Sequence, residues 1–145
     1  MKTNKYILLL LDVFILVTLN GCSSQKNVTN YKRQWMLVTF KDYTKDFLTE
    51  KKATLNLSPM QGDDNSESGT AYMGCNNMRL KAKFSNDGKV TFSNLISTRM
   101  FCPGNLESDF IKEIEKTNHY KIEGHFLYLY NEKEQQMKFV AADWD

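Results

Sequence analysis

The sequence is short of the residues on which most catalytic and metal sites depend. Its only two histidines are His119 and His125, and their spacing does not match the His-x-x-x-His pattern of zinc enzymes. It has neither a Gly-x-Ser-x-Gly elbow nor a glycine-rich phosphate loop. We therefore expect no catalytic residue, no metal and no cofactor. An enzyme assembled from distant residues stays open as the least favoured class of function.

The sequence also lacks an excess of charge of either sign. It has 19 basic and 17 acidic side chains, a formal net charge of +2. Without Lys2, Lys5 and Asp12, which lie before the candidate cleavage site discussed below, these counts fall to 17 and 16. A nearly neutral domain does not have the basic surface that nucleic-acid binding requires. We expect no nucleic-acid partner.

Long apolar runs are missing as well, with one short exception at the N-terminus. Residues 6–19, "YILLLLDVFILVTL", are apolar apart from Asp12 and Thr18. A membrane-spanning helix needs about 20 apolar residues, and an aspartate at its centre costs about 2.5–3.5 kcal/mol. A buried helix is a poor alternative, because the run is apolar on all sides. With Lys2 and Lys5 before it, the run is typical of a secretory signal peptide.

Cysteine is rare, and its first occurrence follows this run directly. The stretch "LNGC" (19–22) resembles the lipobox of bacterial lipoproteins. That resemblance implies a signal peptide at 1–21, lipid attachment at Cys22 and a polar tether over 22–30. Because Ser23 and not aspartate comes next, it implies an outer-membrane location facing the periplasm, or the outer face of the plasma membrane in a host without an outer membrane. Two or more acyl chains anchor a protein stably. An ordinary cleaved signal and an uncleaved anchor are the alternatives.

The rest of the chain, 31–145, has the length of one domain and reads mostly as strands. Asp87-Gly88 predicts a hairpin turn, and residues 58–70 are predicted to form the longest loop. Alternation of apolar and polar residues places Leu55, Leu57, Leu80, Ala82 and Phe84 inside. The predicted strands are 35–40, 53–57, 79–84, 89–92, 120–124, 125–131 and 136–141.

One segment, 107–117, has the period of a helix. It places Phe110, Ile111 and Ile114 on one side, and Ser108 is a candidate N-cap. The predicted fold class is therefore α+β: a small, mostly antiparallel β-sheet curled toward a barrel, with one helix packed at its side or end.

The predicted strand 125–131 is apolar on both faces. Phe126, Tyr128 and Tyr130 share one face, and Leu127 and Leu129 share the other. One face belongs to the core. The aromatic face is covered either by the helix or by a binding partner.

Cys75 and Cys102 remain once Cys22 is assigned to lipid. An even pair in an exported protein predicts a disulfide, which would close a loop of about 28 residues. Loop closure of that length is worth about 3.5 kcal/mol. Two free buried thiols are the alternative. A redox pair is less favoured, since the spacing is not Cys-x-x-Cys.

An ordered set of motifs covers most of residues 31–141. It comprises Trp35 with Leu37, "GCN" (74–76), "TRMFC" (98–102), Glu107 with Phe110, and "YKIEGHFLYLY" (120–130). Together these resemble the META domain, also called the HslJ-type domain. The resemblance implies that 31–145 is a META-type domain with a compact β-rich fold and a helix. The family motif is identified as Gly74, Cys75, Asn76, Thr98 and Cys102. The glycine that family members usually have shortly after "GCN" is absent here.

The resemblance implies a link to stress and envelope resistance without an agreed catalytic activity. We therefore predict a non-enzymatic, lipid-anchored protein of the cell envelope. The alternative is a dedicated protein-binding lipoprotein, such as a secretion-assembly chaperone or an inhibitor of a cell-wall hydrolase. Both hypotheses place the membrane among the partners, through the lipid anchor, and the second adds a protein partner in the envelope.

Overall fold

The computed structural model describes residues 31–59, 67–132 and 134–144. Within these residues the helices are α1 (Lys45–Glu50) and α2 (Leu106–Ile114). The predicted signal peptide 1–21, the tether 22–30 and the lipid-attachment residue Cys22 lie outside the described residues. The strands are β1 (Gln34–Phe40), β2 (Thr54–Asn56), β3 (Ser68–Tyr72), β4 (Asn77–Phe84), β5 (Val90–Ser97), β6 (His119–Glu123), β7 (Phe126–Asn131) and β8 (Glu134–Ala141).

The strands form one antiparallel sheet in the order β5-β4-β3-β2-β1-β8-β7-β6. The chain passes through β1 to β5 in sequence, continues through α2 and returns through β6 to β8, so that β8 pairs with β1. The outermost strands meet at one end, where Lys89 pairs with His119 and the Val90 N–H donates to the Asn118 carbonyl at 3.0 Å. The sheet is therefore a curled half-barrel, which confirms the predicted fold class.

The core lies inside the curl, because alternate side chains of each strand point inward. Leu55, Leu57, Leu80 and Ala82 are all buried, as predicted. Phe84 is half-buried and packs against the core. The apolar side of α2 joins the same core. The largest fully buried side chains are Trp35, Phe40, Phe110, Phe139, Leu37, Leu48, Leu55, Met78, Ile114, Leu127, Leu129 and Met137.

Two elements were missed from the sequence, α1 and β3. The six residues of α1 are too few to show a helical period. Its signals are local: the Thr44 side chain accepts a hydrogen bond from the Phe47 N–H at 3.3 Å, and Leu48 is its one fully buried side chain. The prediction of a loop over 58–70 is wrong at its end, where β3 begins at Ser68. Residues 60–66 lie outside the described residues.

The predicted helix 107–117 exists as α2, three residues shorter at its end. Its N-cap is Asn105 and not Ser108, whose hydroxyl instead donates to the Asn105 carbonyl at 2.9 Å. Phe110 and Ile114 are buried in the core, as the period predicts. Neither helix of the described chain has the length and hydropathy needed to cross a membrane.

The aromatic row of β7 lies on the outer face of the sheet. Leu127 and Leu129 face the core, in the same cluster as the buried side of α2. The helix therefore does not cover the aromatic side. Lys138 of β8 lies there instead, with its Nζ 4.0 Å from the ring centroid of Phe126 and 5.4 Å from that of Tyr128.

Candidate functional site

A disulfide joins the two cysteines that the sequence pairs. Cys75 and Cys102 have a Cα–Cα distance of 5.8 Å. The bond ties the turn between β3 and β4 to the segment between β5 and α2. Gly74 precedes it with a φ of +92°, a conformation that favours glycine. A Cβ at Gly74 would lie 2.9 Å from the Cβ of Lys51, an atom next to the backbone, so the turn also needs glycine for space.

Asn76 is the centre of the hydrogen bonds beside this disulfide. Its side chain is 4% exposed. Its Oδ1 accepts from the Thr98 hydroxyl at 2.7 Å and from the Met100 N–H at 2.9 Å. Its Nδ2 donates to the Met100 carbonyl at 3.1 Å, to the Cys102 Sγ at 2.8 Å and to the Glu107 Oε1 at 3.1 Å. One amide therefore fixes the course of the 98–102 segment.

Glu107, in the first turn of α2, completes this arrangement. Its Oε2 accepts from the Asn76 backbone N–H at 3.1 Å, and its Oε1 accepts from the Ser97 hydroxyl at 3.0 Å. The carboxylate therefore joins β4, β5 and α2 at one point. We call the set Gly74, Cys75, Asn76, Thr98, Cys102 and Glu107 the Asn76 knot.

The Asn76 knot holds a loop whose apolar side chains face outward. Met100 is 58% exposed and Phe101 is 96% exposed. Ile96, near the end of β5, is 69% exposed. Residues on both sides of Phe101 are fixed, Met100 by Asn76 and Cys102 by the disulfide. The knot therefore presents an aromatic ring to solvent on a rigid support.

The knot also contains the one group of potential metal ligands among the described residues. Sulfur and carboxylate atoms of Cys75, Cys102 and Glu107 all lie within 4.8 Å of one another. Metals bind the thiolate form of cysteine, and here the two sulfurs are bonded to each other in the disulfide. The histidines are elsewhere: His119 stacks on Tyr130 and His125 stacks on Trp144. The arrangement is therefore suited to holding a loop in place.

A second feature is an open groove on the outer face of the sheet, beside α1. We call it the lysine groove. Its volume is about 880 Å³, within the range of roughly 300–1,000 Å³ typical of small-molecule sites. Its lining residues are Gln34, Met36, Leu37, Val38, Thr39, Lys45, Leu48, Thr49, Lys52, Ala53, Thr54, Phe126, Lys138, Val140 and Trp144.

A third feature is a polar cluster that fastens α2 to the connection between β1 and α1. The Tyr43 hydroxyl donates to the Asp109 Oδ2 at 2.8 Å, and the Lys41 Nζ lies 3.4 Å from carboxylate oxygens of Asp109 and Glu113. The Tyr43 hydrogen bond, followed by Lys41, lowers the pKa of Asp109. Burial and the bond to Asp109 raise the pKa of Tyr43 to about 12. These shifts favour the ionised carboxylate beside a neutral phenol.

The META domain family matches residues 26–144 of this chain. The chain belongs to the META domain family. This confirms the resemblance drawn from the ordered motifs. Within this META domain, the motif residues predicted from the sequence, Gly74, Cys75, Asn76, Thr98 and Cys102, are brought together at one place in the fold.

Solved structures share the fold of this META domain. An NMR structure of a protein from Burkholderia xenovorans matches with a TM-score of 0.58 and 19% identity, covering 79% of this chain and 86% of its own. A DUF4847 family protein from Bacteroides vulgatus ATCC 8482 matches with a TM-score of 0.54 and 10% identity, covering 79% and 95%. At these identities the likeness concerns the fold alone. No curated protein matches this META domain significantly.

Two features of the candidate site were missed from the sequence. Glu107 was noted only in the motif set, because its role depends on Asn76, 31 residues earlier. The exposure of Phe101 was missed because an aromatic beside a cysteine reads equally well as core. The stretch "RMFC" shows no alternation of polar and apolar residues that would place Phe101 inside or outside.

Proposed function

We propose that this META domain protein is a non-enzymatic, lipid-anchored component of the bacterial cell envelope that binds another protein through Met100 and Phe101. Its anchor is Cys22, and its place is the outer membrane, facing the periplasm. Its role is in stress or envelope resistance. The observation that supports binding is the 96% exposure of Phe101 on the rigid Asn76 knot.

An exposed aromatic on a fixed loop fits the physics of protein interfaces. Aromatic residues and methionine are enriched in interfaces relative to the rest of a protein surface. Apolar side chains gathered at one surface site mark an interaction site in many soluble proteins. Binding also costs less when the loop is already ordered, because less conformational entropy is lost. The knot provides that order before any partner arrives.

Two kinds of partner fit this proposal. One is a component of a secretion system, which the protein would chaperone at the membrane. The other is a cell-wall hydrolase, which it would inhibit. In both cases the disulfide suits an oxidising compartment outside the cytoplasm.

The experiment is affinity capture of the full-length protein from its own envelope after chemical crosslinking, with the companions identified by mass spectrometry. We expect one companion in near-equal amount with the wild type. Phe101→Ser should lose it, because the hydroxymethyl group cannot fill an apolar pocket. Lys83→Ser is the control, since Lys83 is an exposed residue of β4 outside both the knot and the groove, and it should keep the companion. Equal capture by Phe101→Ser, or no companion above background with the wild type, would refute the proposal.

A further inference from the structure

The strands that form the floor of the lysine groove leave few backbone groups free to hydrogen-bond an added strand. The floor crosses β1, β8 and β7, and each of these strands already has a neighbour on both sides. Where these strands pair on both sides, as β1 does at Trp35 and Met36, their N–H and C=O groups form hydrogen bonds within the sheet. There an occupant of the groove binds through side chains, by apolar contact and by charge.

The side chains on this floor are largely apolar. Met36, Val140 and Phe126 lie in register across the three strands, since Met36 pairs with Val140 and Val140 pairs with Phe126. All three are half-buried. Val38 and the 52% exposed Trp144 extend this surface. Methionine side chains adapt easily to a flexible apolar partner.

The charges of the groove are all of one sign. Three lysines line it, Lys45, Lys52 and Lys138, and none of its lining residues in the described chain is an aspartate or a glutamate. Other lysines form ion pairs, including Lys41, Lys89, Lys116 and Lys121. No ion pair among the described residues includes the three lysines of the groove.

Lys138 links the charge to the apolar floor. Its Nζ lies over the rings of Phe126 and Tyr128, so the ammonium rests on the aromatic side chains. Among the described residues it has no carboxylate partner. A ligand with a long apolar chain and one negative head matches both properties. We propose that the lysine groove binds a long-chain fatty acid, its acyl chain along Met36, Val140 and Phe126 and its carboxylate against the lysines. This goes beyond the proposed function and uses a different surface.

The test uses the full-length protein in its membranes and a palmitate analogue with a photoreactive diazirine on the chain. After irradiation, mass spectrometry maps the labelled peptides. We expect labels in residues 34–38 and 136–144. Unlabelled palmitate should compete, whereas hexadecanol, with the same chain and no charge, should compete about tenfold more weakly because it forms no charge-assisted bond.

Two variants sharpen the test. Lys138→Gln should raise the half-saturating concentration of the probe by about tenfold, and Val140→Asp should abolish labelling of the groove. Lys83→Gln is the matched control, because Lys83 is an exposed lysine of β4 that does not line the groove, and it should leave labelling unchanged. Unchanged thermal unfolding of each variant shows that the fold is intact.

Several outcomes would overturn the proposal. Labels spread evenly over the domain would show that the groove is not a site. Equal competition by hexadecanol and palmitate, or unchanged labelling of Lys138→Gln, would show that the lysines do not recognise the carboxylate. Stronger competition by an acidic peptide than by palmitate would assign the groove to a protein partner instead.

Discussion

At the scale of the residue, Asn76 is the side chain on which the knot depends most. It is nearly buried, and both ends of its amide are engaged. An aspartate has the same shape but has no N–H to donate. Its charge would also face the carboxylate of Glu107.

We expect Asn76→Asp to lower the free energy of unfolding by about 3 kcal/mol, the cost of lost bonds plus an unfavourable buried charge. Thermal or denaturant unfolding measures this. Asn77→Asp, at the exposed neighbouring position, is the matched control and should change stability little. A variant at position 76 as stable as the wild type would show that the amide does not hold the loop.

The stability that the disulfide contributes is the second prediction at the scale of the residue. Cys75→Ala should lower the free energy of unfolding by about 3.5 kcal/mol, because the unfolded chain regains the freedom that the closed loop removes. The reduced wild type should unfold at about the same point as the variant. If a reductant leaves unfolding of the wild type unchanged, the cysteines are not joined in the folded protein.

At the scale of the residue, the sequence identified the residues of the knot but not the contacts that they make. Cys75 and Cys102 follow from counting cysteines, and Asn76 follows from the motif. The contacts of Asn76 with Thr98 and Glu107 cross 22 and 31 residues of chain. No local pattern specifies such contacts, because they arise only when β4, β5 and α2 come together.

At the scale of the element, α2 is held against the connection between β1 and α1 by a pH-sensitive contact. The Tyr43 hydroxyl and Lys41 lower the pKa of Asp109. A carboxyl group whose pKa is lower in the folded state stabilises the protein above its unfolded pKa. That stability is lost as the pH falls through the folded value.

We therefore expect Tyr43→Phe to cost about 1 kcal/mol at neutral pH, the value of one hydrogen bond. The difference from the wild type should shrink below about pH 4, near the usual aspartate pKa, as Asp109 is protonated. In the wild type, stability should also fall between about pH 10 and the raised pKa of Tyr43 at about 12. Unfolding measured across pH checks this, with Tyr72→Phe as control. A difference that does not change with pH would contradict the contact.

At this scale the sequence predicted the elements that show a readable period and missed α1 and β3. The alternation of β4 and the period of α2 each extend over enough residues to be read. The six residues of α1 cover fewer than two turns, so its capping by Thr44 and its burial of Leu48 leave no readable period. The N-cap prediction at Ser108 failed because that hydroxyl bonds to the Asn105 carbonyl instead.

At the scale of the whole molecule, the curled sheet follows from its strand pattern and turn chemistry. The predicted antiparallel half-barrel was reached from alternation and from turns such as Asp87-Gly88. The pairing of β1 with β8 was not predicted, because it joins the two ends of the domain. That pairing places Met36, Val140 and Phe126 side by side, so the lysine groove could not be anticipated.

Membrane attachment through Cys22 is the prediction that belongs to the whole molecule. Cys22→Ala should release the protein from membranes or leave an uncleaved precursor, because the proposed acyl chains would be attached at this residue. Sedimentation of membranes and the size of the mature chain check this. Cys75→Ala should still sediment with membranes. If Cys22→Ala sediments and is processed like the wild type, the lipid assignment is wrong.

The central claim is that Phe101 contacts a protein partner in the envelope. The most direct measurement is photocrosslinking in living cells, with a photoreactive phenylalanine analogue placed at position 101 and, in a control, at the exposed position 83. We predict one protein adduct of defined mass from position 101 and none from position 83. No adduct at 101, or the same adducts from both positions, would contradict the claim.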